Sequence, residues 1–99
     1  MRLTNVHLNG EEFHHLVNRS VVLLTDGRVI ILDSISTMVY LALKDNTSMI
    51  IDVDALSSDV YDSLKENGDD VPPFDIIKRD VVLLIKNFKD SAIIQYDLV

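Results

Sequence analysis

The sequence predicts an α+β domain, an amino-terminal antiparallel sheet followed by three helices. Three observations carry that expectation. An Asp26-Gly27 step separates two aliphatic runs, VVLL and VIIL, which is a strong hairpin signal. Downstream, apolar residues recur at helical spacing in three separate stretches. The 99 residues, 47% of them hydrophobic, suit a single globular domain.

The elements follow in chain order. RLTNVHL (2–8) reads as a first strand able to make a third beside the hairpin, with EEFHHLVNRS (11–20) as its connection. A two-residue Asp26-Gly27 loop sets Thr25 opposite Arg28, Leu24 opposite Val29, Leu23 opposite Ile30 and Val22 opposite Ile31. Side chains alternate along a strand. One face then carries Val22, Leu24, Val29 and Ile31, and the other Val21, Leu23, Ile30 and Leu32. Both faces are apolar, whereas a small hairpin normally keeps one face wet.

Asp33 or Ser34 supplies an N-cap for a helix over ISTMVYLAL, whose Ile35, Met38, Val39 and Ala42 share one side. KDNTS is a loop. A second helix opens near Asp52 or Asp54, carries Val53, Leu56, Val60 and Leu64 as a narrow stripe, and stops at Asn67-Gly68. DDVPP is a stiff linker, and Pro72 or Pro73 introduces a third helix from Phe74 to about Lys89. There Ile77, Val81, Leu84 and Phe88 form a stripe, with Ile85 on one flank and Ile76 and Leu83 on the other. Apolar residues thus cover over half the circumference, more than one neighbour requires. SAIIQY (91–96) closes the chain as a short strand or extended tail.

Composition narrows the function. The net charge of −7 is uneven: residues 52–70 hold seven acids against Lys65, whereas residues 74–90 hold four bases against three acids. An acidic chain is a poor partner for phosphate backbones, so no nucleic acid is expected. There is no cysteine, which excludes disulfides, thiol chemistry and Cys-type zinc sites. MRLTNVHLNG lacks an apolar signal core, and no apolar run approaches the ~20 residues of a membrane span. A soluble cytoplasmic protein, with no membrane partner, is the expectation.

Catalytic chemistry is not expected. His7 and the His14-His15 pair invite a metal, but adjacent histidines diverge on a strand or a helix, so no metal or cofactor is predicted. Ser20, Ser34 and Ser36 lack a nucleophile elbow, and three glycines make no phosphate loop. The acids of 52–70 spread around a helix as a hydrated face. The bland reading is that the hairpin and the third helix cover each other. The sharper one leaves a groove between the hairpin's outer strand and that helix, open to an extended segment of another molecule.

The order of elements, read with VLLTDGRVIILDSISTMVYLAL, DALSSDVYDSL (54–64) and DVVLLIKNF (80–88), resembles the PqqD-like family, the RiPP recognition elements. The likeness spans roughly residues 18 to 95. Leu32-Asp33 stands where the family has Leu-Asn, and KDNTSMII replaces its Gly-containing turn. The resemblance implies a winged helix-turn-helix with a three-stranded sheet, and a non-catalytic role as a peptide chaperone in natural product biosynthesis. Such a module holds the leader of a ribosomally made precursor peptide, of lasso or another class, as an added strand while a separate maturation enzyme acts. By position, the receiving edge is Arg28, Val29, Ile30, Ile31 and Leu32. The facing helix offers Ile76, Asp80, Leu83, Leu84 and Asn87, and Lys78, Arg79, Lys86 and Lys89 would steer an acidic leader.

Two alternatives stand beside this reading, a winged-helix DNA-binding regulator and a homodimer pairing through the same strand edge. The peptide-binding reading predicts that Ile30→Asp weakens leader binding with the fold intact, and that Leu23→Asp loses stability as well.

Overall fold

The computed structural model describes residues 1–16, 19–66, 68 and 70–99, with the side chains of 13–16 excluded. The predicted α+β class is observed, with three helices, but the strands divide into two small antiparallel sheets. In chain order the elements are β1 (Arg2–Leu8), β2 (Gly10–Leu16), β3 (Arg19–Leu24), β4 (Val29–Leu32), α1 (Ser34–Asp45), β5 (Ile51–Asp52), α2 (Val53–Glu66), α3 (Phe74–Asp90) and β6 (Ile94–Leu98). One sheet has the order β5-β1-β6 and the other β2-β3-β4.

This arrangement corrects the expected sheet. The first strand, 2–8, forms as predicted but does not join the hairpin; it lies between β5 and β6. The third strand beside the hairpin is β2, in the segment expected to be a connection. Gly10 makes the crossing from β1 to β2 possible. A Cβ there would meet the Leu23 carbonyl oxygen at 2.7 Å and Leu24 Cδ2 at 2.9 Å, so only glycine lets the backbones approach this closely.

The hairpin loop is one residue longer than predicted. Leu24 N–H donates to Arg28 O at 2.9 Å and Gly27 N–H to Leu24 O at 2.9 Å, which closes a three-residue loop of Thr25, Asp26 and Gly27. Gly27, at φ 92°, occupies the left-handed position that ends such a loop. The register becomes Leu23 opposite Val29, Val22 opposite Ile30, Val21 opposite Ile31 and Ser20 opposite Leu32. A slip of one residue turns every β4 side chain to the other face. The inner face is therefore Ser20, Val22, Leu24 and Leu32, all buried, with Ile30 partly buried against the core. The outer face exposes Leu23 (45%), Val29 (58%) and Ile31 (65%). The paired expectation for Ile30 and Leu23 is accordingly reversed: an Asp at 30 would sit against the core, and an Asp at 23 would reach water.

The helices form where periodicity places them. Asp33 is the N-cap of α1, its carboxylate accepting Ser36 N–H at 2.8 Å. The core-facing side of α1 is rotated from the predicted stripe: Ser36, Thr37, Val39, Tyr40 and Leu43 are buried, whereas Ile35, Met38 and Ala42 are half-buried. Polar side chains tolerate this position because they find partners. Thr37 Oγ1 lies 2.9 Å from Ser20 Oγ, and Tyr40 Oη donates to Gly10 O at 3.2 Å. In α2, Val53, Leu56 and Val60 are buried as expected, with Leu64 half-buried. Asn67, where that helix was expected to stop, lies outside the described residues.

In α3 the buried line is Ile77, Val81, Ile85 and Phe88; Leu84, assigned to the central stripe, is half-buried on its flank. The chain leaves α3 through a Schellman turn, with Ile93 N–H on Phe88 O at 2.8 Å and Ala92 N–H on Lys89 O at 3.0 Å. Ala92 holds φ 59° there, and this turn delays the last strand to Ile94 rather than residue 91.

Candidate functional site

β4 follows directly from the hairpin loop and runs straight into α1, so its position is fixed at both ends by local chain geometry. On one side it pairs with β3; among the described residues no strand pairs with its other side. The main-chain groups on that open side can be deduced. Leu24 and Arg28 form a hydrogen-bonded pair, and such pairs alternate along an antiparallel ladder. Ile30 and Leu32 then bond inward to Val22 and Ser20. Val29 and Ile31 direct their N–H and C=O groups to the open edge.

The two ends of β4 are tied to the rest of the molecule. At the start, Arg28 donates from its guanidinium to Ser91 O at 2.7 Å and to Asp26 Oδ2 at 2.8 Å, so the loop is fastened to the carboxyl end of α3. A guanidinium there also complements the negative end of the helix dipole. The Arg28 backbone N–H, donating to Asp26 Oδ1 at 3.0 Å, holds the Asp26 carboxyl below its ordinary value, with the guanidinium adding to the effect. At the far end, Asp33, Ile35 and Ser36 from the first turn of α1 meet Asp80, Leu83, Leu84 and Asn87 of α3 around a groove of about 280 Å³. Leu83 is half exposed on its rim.

The ten residues assigned by position to peptide binding therefore fall into distinct environments. Asp80, Leu83, Leu84 and Asn87 are brought together in the groove. Val29 and Ile31 are exposed on the edge strand, but their side chains lie on the sheet's outer face. Ile30 is half-buried and Leu32 is in the core, so these two offer little side chain to a partner. Arg28 is engaged as a staple. Ile76, half-buried, lies one turn before Asp80 and does not line the groove. Asp33, Ile35 and Ser36 were missed by the sequence reading. Their signal was the immediate succession of β4 and α1, which puts the first helical turn at the end of the edge strand.

The basic residues of α3 are less free than their sequence suggests. Lys78 pairs with Asp54 at 3.1 Å, and Lys89 donates to Tyr96 O at 3.1 Å with its ammonium 4.4 Å from the ring centroid. Arg79 lies 3.9 Å from Asp80. Among the described residues Lys86 has no such partner; it lines a second groove of about 410 Å³ with Asp75, Lys78, Arg79, Val82 and Leu83. Leu83 thus lines both the groove at the end of β4, whose charged residues are Asp33 and Asp80, and a more basic one beyond it.

His7 is exposed on β1, and the side chains of His14 and His15 lie outside the described ones. Among the described residues, no helix is long and apolar enough to cross a membrane. No family model matches the chain. No curated protein and no solved structure matches it either.

Proposed function

We propose that this chain is a non-catalytic peptide-binding module of the PqqD-like kind, in which β2, β3 and β4 serve as the wing of a winged helix-turn-helix. It captures the leader of a precursor peptide as a fourth strand on β4 and presents the remainder to a separate modifying enzyme. The observation that carries this reading is the open β4 edge lying beside the α1–α3 groove. A peptide strand on that edge gains main-chain bonds from Val29 and Ile31, and its side chains can reach Leu83, Leu84 and Ile35.

Magnitudes determine where affinity must come from. Two residues offer four main-chain groups, each contributing about 0.5–1.5 kcal/mol net. Association costs on the order of 4–15 kcal/mol in lost freedom. The ladder alone therefore does not hold a peptide. One or two apolar anchors in the groove, at about 1.5–3 kcal/mol each, complete the binding. Catalytic benefit to the partner enzyme then arises from effective concentration, with no bond made or broken in this domain.

The test is a selection from a displayed library of unstructured peptides against the wild-type domain, repeated on Ile31→Pro and Leu84→Asp. Proline at 31 removes an outward N–H while sparing the ladder to β3. Enriched peptides should lose at least tenfold affinity for both variants while the variants remain folded. Selected peptides that bind both variants as well as wild type would exclude β4 and the groove as the site.

A further inference from the structure

Leu83 is half exposed and belongs to two grooves at once, and the two differ in charge. The charged residues of the groove at the end of β4 are Asp33 and Asp80. The other groove sets Lys78, Arg79 and Lys86 against Asp75. Three bases against one acid reverse, locally, the sign of a chain whose net charge is −7.

Helical spacing orders this basic groove. Arg79, Leu83 and Lys86 stand at i, i+4 and i+7 of α3, so they share one stripe, with a base one turn to either side of the exposed leucine. The two bases lie about 10.5 Å apart along the axis. Their charges are available. Arg79 is 3.9 Å from Asp80 and its side chain is 66% exposed, a loose pair that water weakens. Lys86 is exposed and, among the described residues, has no ion-pair partner. Lys78, by contrast, is held by Asp54 at 3.1 Å.

We infer that the captured peptide continues over Leu83 onto this stripe, and that its flank there is acidic. Apolar residues of the peptide fill the groove beside β4, and Asp or Glu side chains a few positions away engage Arg79 and Lys86. Such a flank presupposes strand capture by β4, on which the inference rests. Charge fixes the order of the two segments. An acid in the first groove would face Asp33 and Asp80, whereas an acid on the stripe meets a base. The two grooves together thus reject one register and favour another. Passage between them turns through about a third of the circumference of α3, roughly 11 Å on a helix ~10–12 Å across, or about three to four residues of extended chain. Leu83 and the half-buried Val82 give the crossing chain an apolar floor. Their shared leucine favours one continuous chain over a separate acidic partner, because a residue that covers Leu83 from the first groove already overhangs the second. Exposed contacts are screened over about 10 Å at 0.1 M salt, so the flank contributes selectivity and encounter rate more than affinity.

The test is selection of a displayed library of unstructured peptides against wild type, the Arg79→Gln/Lys86→Gln double variant and the Arg79→Glu/Lys86→Glu double variant. Both positions are exposed, so both variants should keep the wild-type circular dichroism spectrum. Peptides enriched on wild type should carry Asp or Glu about three to four residues from their apolar anchors. The neutral variant should lose that preference and bind the acidic peptides roughly tenfold more weakly at low salt. The reversed variant should enrich Lys or Arg at the same spacing, with the anchors unchanged. Anchored peptides that depend on Ile31 and Leu84 yet show no charge preference, or keep their acids on the reversed variant, would overturn the inference and leave strand capture standing. Acidic peptides that need Arg79 and Lys86 but bind Ile31→Pro and Leu84→Asp as well as wild type would overturn both, and would assign the stripe to a separate acidic partner.

Discussion

The β3–β4 hairpin has two faces made of the same kinds of residue in different surroundings. On one face Val22, Leu24 and Leu32 are buried in the core beneath α1, and even Ser20 is sealed in with Thr37 as its partner. On the other, Leu23, Val29 and Ile31 meet water. Hydrophobicity does not distinguish them. What does is the length of a loop: one additional residue, Thr25, assigns Ile30 and Leu32 to the core and Val29 and Ile31 to the surface. A sheet only four residues deep at β4 thereby keeps an apolar exterior that folding alone does not use.

The largest effect should come from placing one charge on each face. Val22→Asp buries a carboxylate at a site with no exposure, and should cost about 4 kcal/mol or more, leaving the chain unfolded. Leu23→Asp, the adjacent residue, should cost about 1 kcal/mol, mainly through strand propensity. Urea denaturation of the two variants measures the contrast directly. Similar losses in both would mean that the two faces are not differently covered.

Proline sharpens the same comparison at the main chain. Ile30→Pro removes an N–H that bonds to β3 and strands the facing carbonyl, for about 2–4 kcal/mol. Ile31→Pro removes one that faces outward and should cost about 1 kcal/mol. Thermal or urea midpoints ordered the other way would place β4 in the opposite register.

Away from the hairpin, Ala92→Gly relieves a left-handed residue at the end of α3 and should stabilise the fold by about 1 kcal/mol. The smallest effect concerns Asp26. Its folded carboxyl titrates below the ordinary 3.8, first because of the Arg28 backbone N–H. Its stabilising contribution is therefore complete above that ordinary value and fades as pH falls through the lower folded one. Asp26→Asn should flatten the loss of stability as pH falls below the ordinary 3.8, as read from urea midpoints across that fall.

Much of this architecture was legible in the residues. Asp33 or Ser34 was expected to start α1, and Asp33 does; the spacing of Val53, Leu56 and Val60 announced α2. The wide apolar arc of α3 set Ile76 and Leu83 on a flank beyond its central stripe; Leu83 lines the groove and Ile76 does not. The parts that were not legible depend on distant partners. Glu11 and Glu12 open β2 without any apolar alternation, because that strand is held by its ladder to β3. β1 could be recognised as a strand, but its sheet is set by β5 and β6, some fifty and ninety residues away. Thr37 lay outside the predicted stripe of α1, and it is buried because its hydroxyl bonds Ser20 Oγ and the Leu32 carbonyl. Thr25 suits a strand as well as a loop, so the choice between two and three loop residues was invisible locally.

Amide hydrogen exchange at three consecutive residues of β4 tests the account at its centre. In dilute solution the Val29 and Ile31 amides should exchange fast while the Ile30 amide between them is protected by its bond to Val22. Saturation with a selected peptide should slow all three. Protection of Val29 and Ile31 before any peptide is added, or exchange unchanged once peptide has bound, would contradict the claim that β4 is an open edge awaiting a strand.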